Sequence, residues 1–349
     1  MGDIGCNLAP KRAWVTLLTR TSYLPGAVLL AHSLHEHRSA YPLIILYTPS
    51  LPSSCLSALR REASLTNTIL LAADVLLPKT KVSLIAARFE DTWTKLRVFS
   101  LVDYEQMVFL DSDMLVLKNM DELIEYDLPG KGWIAANHAC VCNLDKDSWA
   151  PEDWTKENCA YTGLTHPNAL DQPCPVPREG QGRHTHTLLN SGMFIFTPYQ
   201  EQWDAMVEFL DVQTELLKTF MFPDQDFLAE FFKGRWKSVG WQYNALKTMR
   251  YWHPNFWKDD EVRNLHYIVD KPWSKRVGSD GAAGYLGRDG VTHEWWWKGF
   301  ERWEKMREEA GEVEILEIVR SECAKPLKDG EEAESLHGNW KADPSRGES

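Results

Sequence analysis

The 349-residue sequence contains no run of about 18 apolar residues, so a membrane-spanning helix is not expected. Residues 1–14 carry no apolar stretch of signal-peptide length, and a secretory leader is not expected there either. Basic residues are in deficit: 38 Lys and Arg against 50 Asp and Glu leave a formal net charge of −12. A nucleic acid or an anionic membrane needs a basic face, so neither is an expected partner. A nucleotide ligand survives this exclusion, because a metal ion can supply positive charge locally. The seven cysteines are odd in number and lack the spacing of a secreted disulfide framework. Reduced thiols in a cytoplasmic protein are the corresponding expectation. Gly2 opens something like an acylation signal, but Cys6 stands where Ser or Thr belongs, which argues against myristoylation. No internal repeat is found.

What is present suits a folded α/β chain. Hydrophobic residues make up 44% and charged residues 25%, enough for a sizeable core and incompatible with global disorder. Sixteen tryptophans stand out. Aromatic rings often wall sugar sites, but any single one is more often core. Residues 13–18 (Ala-Trp-Val-Thr-Leu-Leu), 43–47, 68–72, 106–110 and 188–196 are short apolar runs that predict buried strands. Between them, helical spacing predicts helices over 23–37, 52–61 and 92–102, then over 199–220, 225–232 and 299–318. Strands alternating with helices predict one Rossmann-like, mainly parallel sheet with helices on both faces. Such sheets bind ligands at the carboxyl ends of their strands.

The pattern breaks between residues 137 and 187. That segment holds Cys140, Cys142, Cys159 and Cys174 and four prolines between Pro167 and Pro177, and it is too long for an ordinary connection. It is expected to be an insertion or lid within a catalytic unit spanning 1–321. Its four cysteines are read as reduced thiols, with structural zinc as the alternative. Residues 322–349 are polar and charged, and a disordered tail is expected there.

Asp111-Ser112-Asp113 directly follows the apolar strand 106–110. Carboxylates at i and i+2 of an extended segment point the same way, here toward the ligand crevice. Gathering two like charges there is costly unless a cation neutralises them, which points to a divalent metal. An isolated D-x-D is otherwise an acidic loop, so its place after the strand is what gives it weight. His266, five residues before Lys271 and the Pro272-Trp273 pair, adds an imidazole to the two carboxylates. The mixed nitrogen and oxygen set suits Mn2+ better than Mg2+, and Lys271 could neutralise a phosphate.

These segments occur in a fixed order: Val15-Thr16-Leu17 with Tyr23 and Gly26, Thr94-Lys95-Leu96, Phe109 to Asp113, Asn190-Ser191-Gly192, Asp224-Gln225, and His266 with Lys271-Pro272-Trp273. In that order they resemble the family-eight retaining glycosyltransferases, which include glycogenin and galactinol synthase, over residues 13–273. The cysteines at 140 and 142 look more like galactinol synthases. The resemblance implies a GT-A type fold, a UDP-sugar donor and Mn2+, with Mg2+ as the alternative ion. It implies that Leu17, Thr19 and Tyr23 hold the uridine, and that Asp111, Asp113 and His266 bind the metal, with Ser112 beside the donor. Lys271 would meet the leaving phosphate, Lys95, Asn190 and Ser191 would line the donor sugar, and Asp224 or Gln225 would lie beneath the anomeric carbon. Asp224 is also well placed to cap the helix that begins there.

This chain departs from glycogenins at three places. Arg20 stands where they carry Asn, Asn137-His138 replaces a carboxylate that reads the hexose, and the interval from His266 to Lys271 is one residue shorter and lacks their glycine. The expected activity is transfer of a hexose, from UDP-galactose or UDP-glucose, to a small polyol or sugar. A self-glycosylating primer protein is the alternative, a catalytically silent nucleotide-sugar binder ranks below both, and a homodimer is compatible with either activity.

Overall fold

The computed structural model describes residues 11–79, 87–178 and 180–326. Its strands are β1 (Arg12–Leu18), β2 (Leu43–Tyr47), β3 (Thr68–Ala72), β4 (Gln106–Leu110), β5 (Met114–Val116), β6 (Ile134–His138), β7 (Leu189–Phe196), β8 (Trp236–Ser238), β9 (Ala245–Leu246) and β10 (Asn264–His266). The helices are α1 (Leu24–Glu36), α2 (Ser53–Leu65), α3 (Gln200–Val212), α4 (Thr214–Leu217), α5 (Pro223–Phe231), α6 (Met249–Trp252), α7 (Gly290–Glu309) and α8 (Val313–Ser321). Seven strands form the main sheet in the order β3-β2-β1-β4-β7-β6-β8. Every neighbouring pair is parallel except the two that involve β7, which runs against the rest. The fold is therefore the expected α/β type with a mainly parallel sheet.

Alternation along the strands explains why these segments read as unbroken apolar runs. Trp14, Leu43, Ile45 and Val108 pack on one side with α1, α2, α7 and α8. Their neighbours Val15, Ile44, Met107 and Phe109 pack on the other with Phe194, Phe196 and the apolar faces of α3 and α5. Successive side chains point to opposite faces, so a strand buried on both faces is apolar along most of its length.

Several expectations need correction. Helix 92–102 is a run of 3-10 turns over Ala87–Ser100. The helix expected over 299–318 is two, because Gly311 adopts φ +72° and ends α7 before α8 begins. Glycine is the residue that takes this left-handed conformation without strain. The expected irregular segment begins inside regular structure, since Asn137 and His138 are the last residues of β6. The tail is docked at its start: the Ala324 N–H donates to the Trp273 carbonyl at 2.7 Å, and Arg276 Nε donates to the Ala324 carbonyl at 3.2 Å. Residues 327–349, and the acylation question at Gly2, lie outside the described residues. Among those described, no helix is long and apolar enough to cross a membrane.

A second, three-stranded sheet in the order β5-β10-β9 stands beside the first. It brings His266, at the end of β10, opposite Met114, immediately after the D-x-D segment.

Candidate active site

A cleft of about 360 Å³ opens where β1 and β4 end, where the antiparallel β7 begins, and where β10 ends. All thirteen residues singled out by sequence line it: Leu17, Thr19, Tyr23, Lys95, Asp111, Ser112, Asp113, Asn190, Ser191, Asp224, Gln225, His266 and Lys271. Because β7 runs antiparallel, its first residues lie at the same edge of the sheet as the last residues of β4. The Asp111 N–H donates to the Gly192 carbonyl at 2.8 Å, which fixes the Asn-Ser-Gly segment beside the D-x-D segment.

Asp111, Asp113 and His266 offer ligand atoms that all lie within 4.8 Å of one another. His266 Nε2 is 3.3 Å from Asp113 Oδ1 and 3.8 Å from Asp111 Oδ2. The opposite ring nitrogen, Nδ1, donates to Asn244 Oδ1 at 2.8 Å, while the Asn244 amide donates to Asn190 Oδ1 at 2.8 Å. That relay fixes the amide orientation and leaves the Nε2 lone pair facing the carboxylates, as a metal ligand requires. Gly192 makes room for the imidazole: a Cβ there would lie 2.3 Å from His266 Cε1. Gly26 does the same for the D-x-D segment, since a Cβ there would lie 2.3 Å from the Ser112 carbonyl oxygen.

The charges of the cleft are interleaved. Burial alone would raise the Asp113 carboxyl, but the Lys271 ammonium, joined by His266 only where that ring is protonated, outweighs it and holds Asp113 well below the usual carboxylate range. Burial raises Asp111, and the neighbouring Asp113 adds to the rise against the pull of Lys95. Lys95 lies between Asp111, at 2.9 Å, and Asp224, which it also contacts. Burial opposes its charge, yet the two carboxylates raise its affinity for the proton above that of a free lysine. Asp113 Oδ1 is buried and has no hydrogen-bond donor. An orphaned carboxylate oxygen facing an imidazole lone pair fits a divalent cation better than it fits a closed ion-pair network.

The start of α5 departs from expectation. Asp224 does not cap the helix: it accepts from Ser191 Oγ at 2.8 Å and pairs with Lys95. Asp226 takes the helix-entry role, accepting the Met221 and Phe222 N–H groups at 2.6 and 2.9 Å. Gln225 Oε1 accepts from Asn190 Nδ2 at 3.3 Å. Asn137 and His138 do not line the cleft. The Asn137 amide donates to the Val239 and Gly240 carbonyls, and His138 Nε2 bonds to the Cys174 carbonyl.

Sequence reasoning missed other lining residues. Asp91 pairs with Arg20 and accepts from Thr19 Oγ1 at 3.3 Å, so it organises the loop after β1. Trp149, Trp154 and Phe222 form an aromatic wall, with Trp154 and Phe222 stacked at 6.2 Å between centroids. Asp147 and Tyr285 complete that side. The chain's sixteen tryptophans are a general signal for an aromatic sugar wall, but nothing local marks Trp149 and Trp154 among them.

The cleft gathers an anionic cluster, flanking lysines and an aromatic wall at the carboxyl edge of the sheet, and residues 14–276 match glycosyl transferase family 8. The chain belongs to that family and is a glycosyltransferase of the retaining hexosyltransferase type. It is 29% identical to galactinol synthase 6 of Arabidopsis thaliana, over 75% of this chain and 73% of that one. Galactinol synthase 1 of Solanum lycopersicum is also 29% identical, covering 81% and 80%. The fold is similar to the glycosyltransferase GlyE of Streptococcus pneumoniae, with TM-score 0.53 and 18% identity over 83% of this chain; the chain spans 60% of GlyE. It is also similar to the galactosyltransferase LgtC, solved with donor and acceptor sugar analogues, with TM-score 0.50 and 16% identity over 91% and 98%. These neighbours have the GT-A fold.

Proposed function

We propose that the chain transfers a hexose from a UDP-sugar, UDP-galactose or UDP-glucose, to a small polyol or sugar, with retention at the anomeric carbon. The observation that carries this reading is the placement of Asp111, Asp113, His266, Lys271, Lys95 and Asp224 in one cleft. Relatives named galactinol synthases favour a polyol acceptor and a galactosyl donor. The catalytic unit we assign to residues 1–321, and the compartment we propose is the cytoplasm, where clustered thiols stay reduced.

Asp111, Asp113 and His266 would hold the ion, Mn2+ ahead of Mg2+ because the donor set includes an imidazole. Bound there, it would neutralise charge on the diphosphate as the sugar–phosphate bond breaks. Lys271, whose ammonium already meets Asp113 and the Tyr267 carbonyl, is placed to share that charge. Leu17, Thr19 and Tyr23 would receive the uridine, with Ser112 beside the donor. Lys95, Asn190 and Ser191 would line the donor sugar. The aromatic wall of Trp149, Trp154 and Phe222 would take the acceptor, its apolar faces against C–H bonds and Asp147 against hydroxyls.

Retention needs either two inversions through an enzyme nucleophile or attack on the face that UDP leaves. Asp224 would be the nucleophile of the first route. Its engagement by Lys95 and Ser191 favours the second, with Asp224 holding Lys95 in place and Gln225 bordering the reacting centre.

The test is a panel of UDP-sugars, each with and without polyol and sugar acceptors, reading UDP release and the mass of products and protein. We expect UDP release that depends on one hexose donor and an added small acceptor, with no change in protein mass. Hexose increments on the chain itself would replace this reading with a self-glycosylating primer. No turnover with any donor would leave a nucleotide-sugar binder.

A further inference from the structure

Among the described residues, two clusters of ligand-type side chains lie apart from the carboxylates of the cleft: Asp270, Asp289 and His293, and Cys140, Cys142, Cys159 and His253. The first already encloses a cation. Lys247, fully buried, places Nζ 2.7 Å from Asp270 and 2.7 Å from Asp289, with His293 Nε2 at 3.4 Å. The second encloses none.

We propose that Cys140, Cys142, Cys159 and His253 bind one Zn2+ as a structural site behind the wall of the cleft. The four donor atoms surround a common centre. His253 Nε2 lies 3.3 Å from Cys140 Sγ, 3.2 Å from Cys142 Sγ and 3.7 Å from Cys159 Sγ, and Cys140 Sγ is 3.9 Å from Cys159 Sγ. Tetrahedral zinc with Zn–S of about 2.3 Å and Zn–N of about 2.0 Å has S···S edges of about 3.8 Å and S···N edges of about 3.5 Å. The observed distances scatter around those edges. Three sulfurs and one imidazole are a soft donor set that selects zinc over the harder ions suited to the carboxylate cluster. Binding takes the three cysteines as thiolates and the imidazole as neutral, with the thiol protons passing to solvent.

Three separate segments supply the ligands. Cys140 and Cys142 follow β6, Cys159 ends a 3-10 turn that Thr155 caps through its side chain, and His253 ends α6. The His253 ring is oriented by packing: Phe256 stacks on it at 5.4 Å and Tyr161 lies at 5.7 Å, while Nδ1 has no hydrogen-bond partner. Cys174, the fourth cysteine of the segment, stands elsewhere with Sγ 3.6 Å from His186 Nδ1. His253 takes the place that the sequence alone would have given it. A metal here would fasten the segment carrying Asp147, Trp149 and Trp154 to the body of the protein, since Cys140 itself lines the cleft. This inference does not depend on which sugar is transferred.

The test is metal analysis of the full chain, produced with added zinc under reductant and purified without chelator. We expect about one zinc per chain in the wild type. Asp113→Asn should retain it, which separates this site from the carboxylate cluster. Cys174→Ser should retain it as well, and so should His253→Cys, which keeps four ligands. Cys142→Ser should lose most of it. Should Cys142→Ser fail to fold, cobalt exchanged into the wild type reads the same site through the visible absorption of tetrahedral Co2+–thiolate. Zinc below about a tenth per chain in the wild type overturns the proposal. So do zinc content unchanged in Cys142→Ser, featureless cobalt spectra, or an intact mass lower by the two hydrogens of a disulfide between Cys140 and Cys159.

Discussion

Lys95→Met tests whether the charges of the cleft act as one unit. The Lys95 side chain is 7% exposed and its ammonium is shared by Asp111, at 2.9 Å, and Asp224. Methionine keeps much of the volume and removes the charge, which strands the Asp224 carboxylate at 8% exposure. Breaking a buried pair from one side costs about 3–5 kcal/mol, because the remaining charge is left without compensation. With an unfolding entropy of about 2.1 cal/mol/K per residue, a chain of this length has about 0.7 kcal/mol/K in total, so Tm should fall by about 4–7 °C. The double variant Lys95→Met/Asp224→Asn removes the stranded charge and should melt above Lys95→Met alone. Both should lose about a hundredfold in UDP release, the usual scale for one electrostatic contact to a reacting group. Melting followed by circular dichroism in EDTA reads the first effect, and UDP release with Mn2+ reads the second. A Lys95→Met variant that melts with the wild type, or a double variant that melts below both singles, would refute the reasoning.

Two further outcomes are expected. Lys271→Ala should lower kcat about a hundredfold, worth ~3 kcal/mol, with little change in UDP-sugar affinity, since charge on the diphosphate grows only as the bond breaks. Equal losses in binding and turnover, from calorimetry and steady-state rates, would make Lys271 a ground-state anchor. His32 is buried with both ring nitrogens unpartnered, and burial, aided by Arg307, lowers its pKa from 6.5 to about 4. The unfolded chain therefore binds more protons between those values, and stability present above pH 6.5 is lost as pH falls, by about 2 kcal/mol at pH 5. His32→Leu should remove that loss in denaturation curves at pH 7 and pH 5; an unchanged acid limb would show that His32 does not titrate as the burial implies.

The parts of the fold most legible in the sequence are short apolar runs of the main sheet. β2 and the Met107–Leu110 part of β4 are buried along their length, which favours apolar residues on both faces, and the half-buried edge strand β3 is read from its Ile69-Leu70-Leu71 centre. The small sheet was not legible. β5, β9 and β10 have two or three residues each, too few for any period, and only tertiary pairing defines them. Asp224 and Asp226 illustrate a different limit: both are acidic residues at one helix entry, and which of them meets the backbone depends on Lys95, 129 residues earlier. The thirteen lining residues could be named because family order, not local physics, placed them together. Asn244, which orients His266, and His253, which completes the cysteine cluster, had no local signal, since each works through a partner distant in sequence.

The role proposed for Asp111, Asp113 and His266, holding the divalent ion on which sugar transfer depends, is decided by titrating Mn2+ into metal-stripped wild type and Asp113→Asn while following UDP release from UDP-galactose and UDP-glucose. Asn keeps the side-chain volume and loses an anionic ligand, so the wild type should show saturable Mn2+ activation while the variant stays folded and inactive across the titration. Wild-type rates in Asp113→Asn, or full activity of the wild type after stripping, would contradict the account.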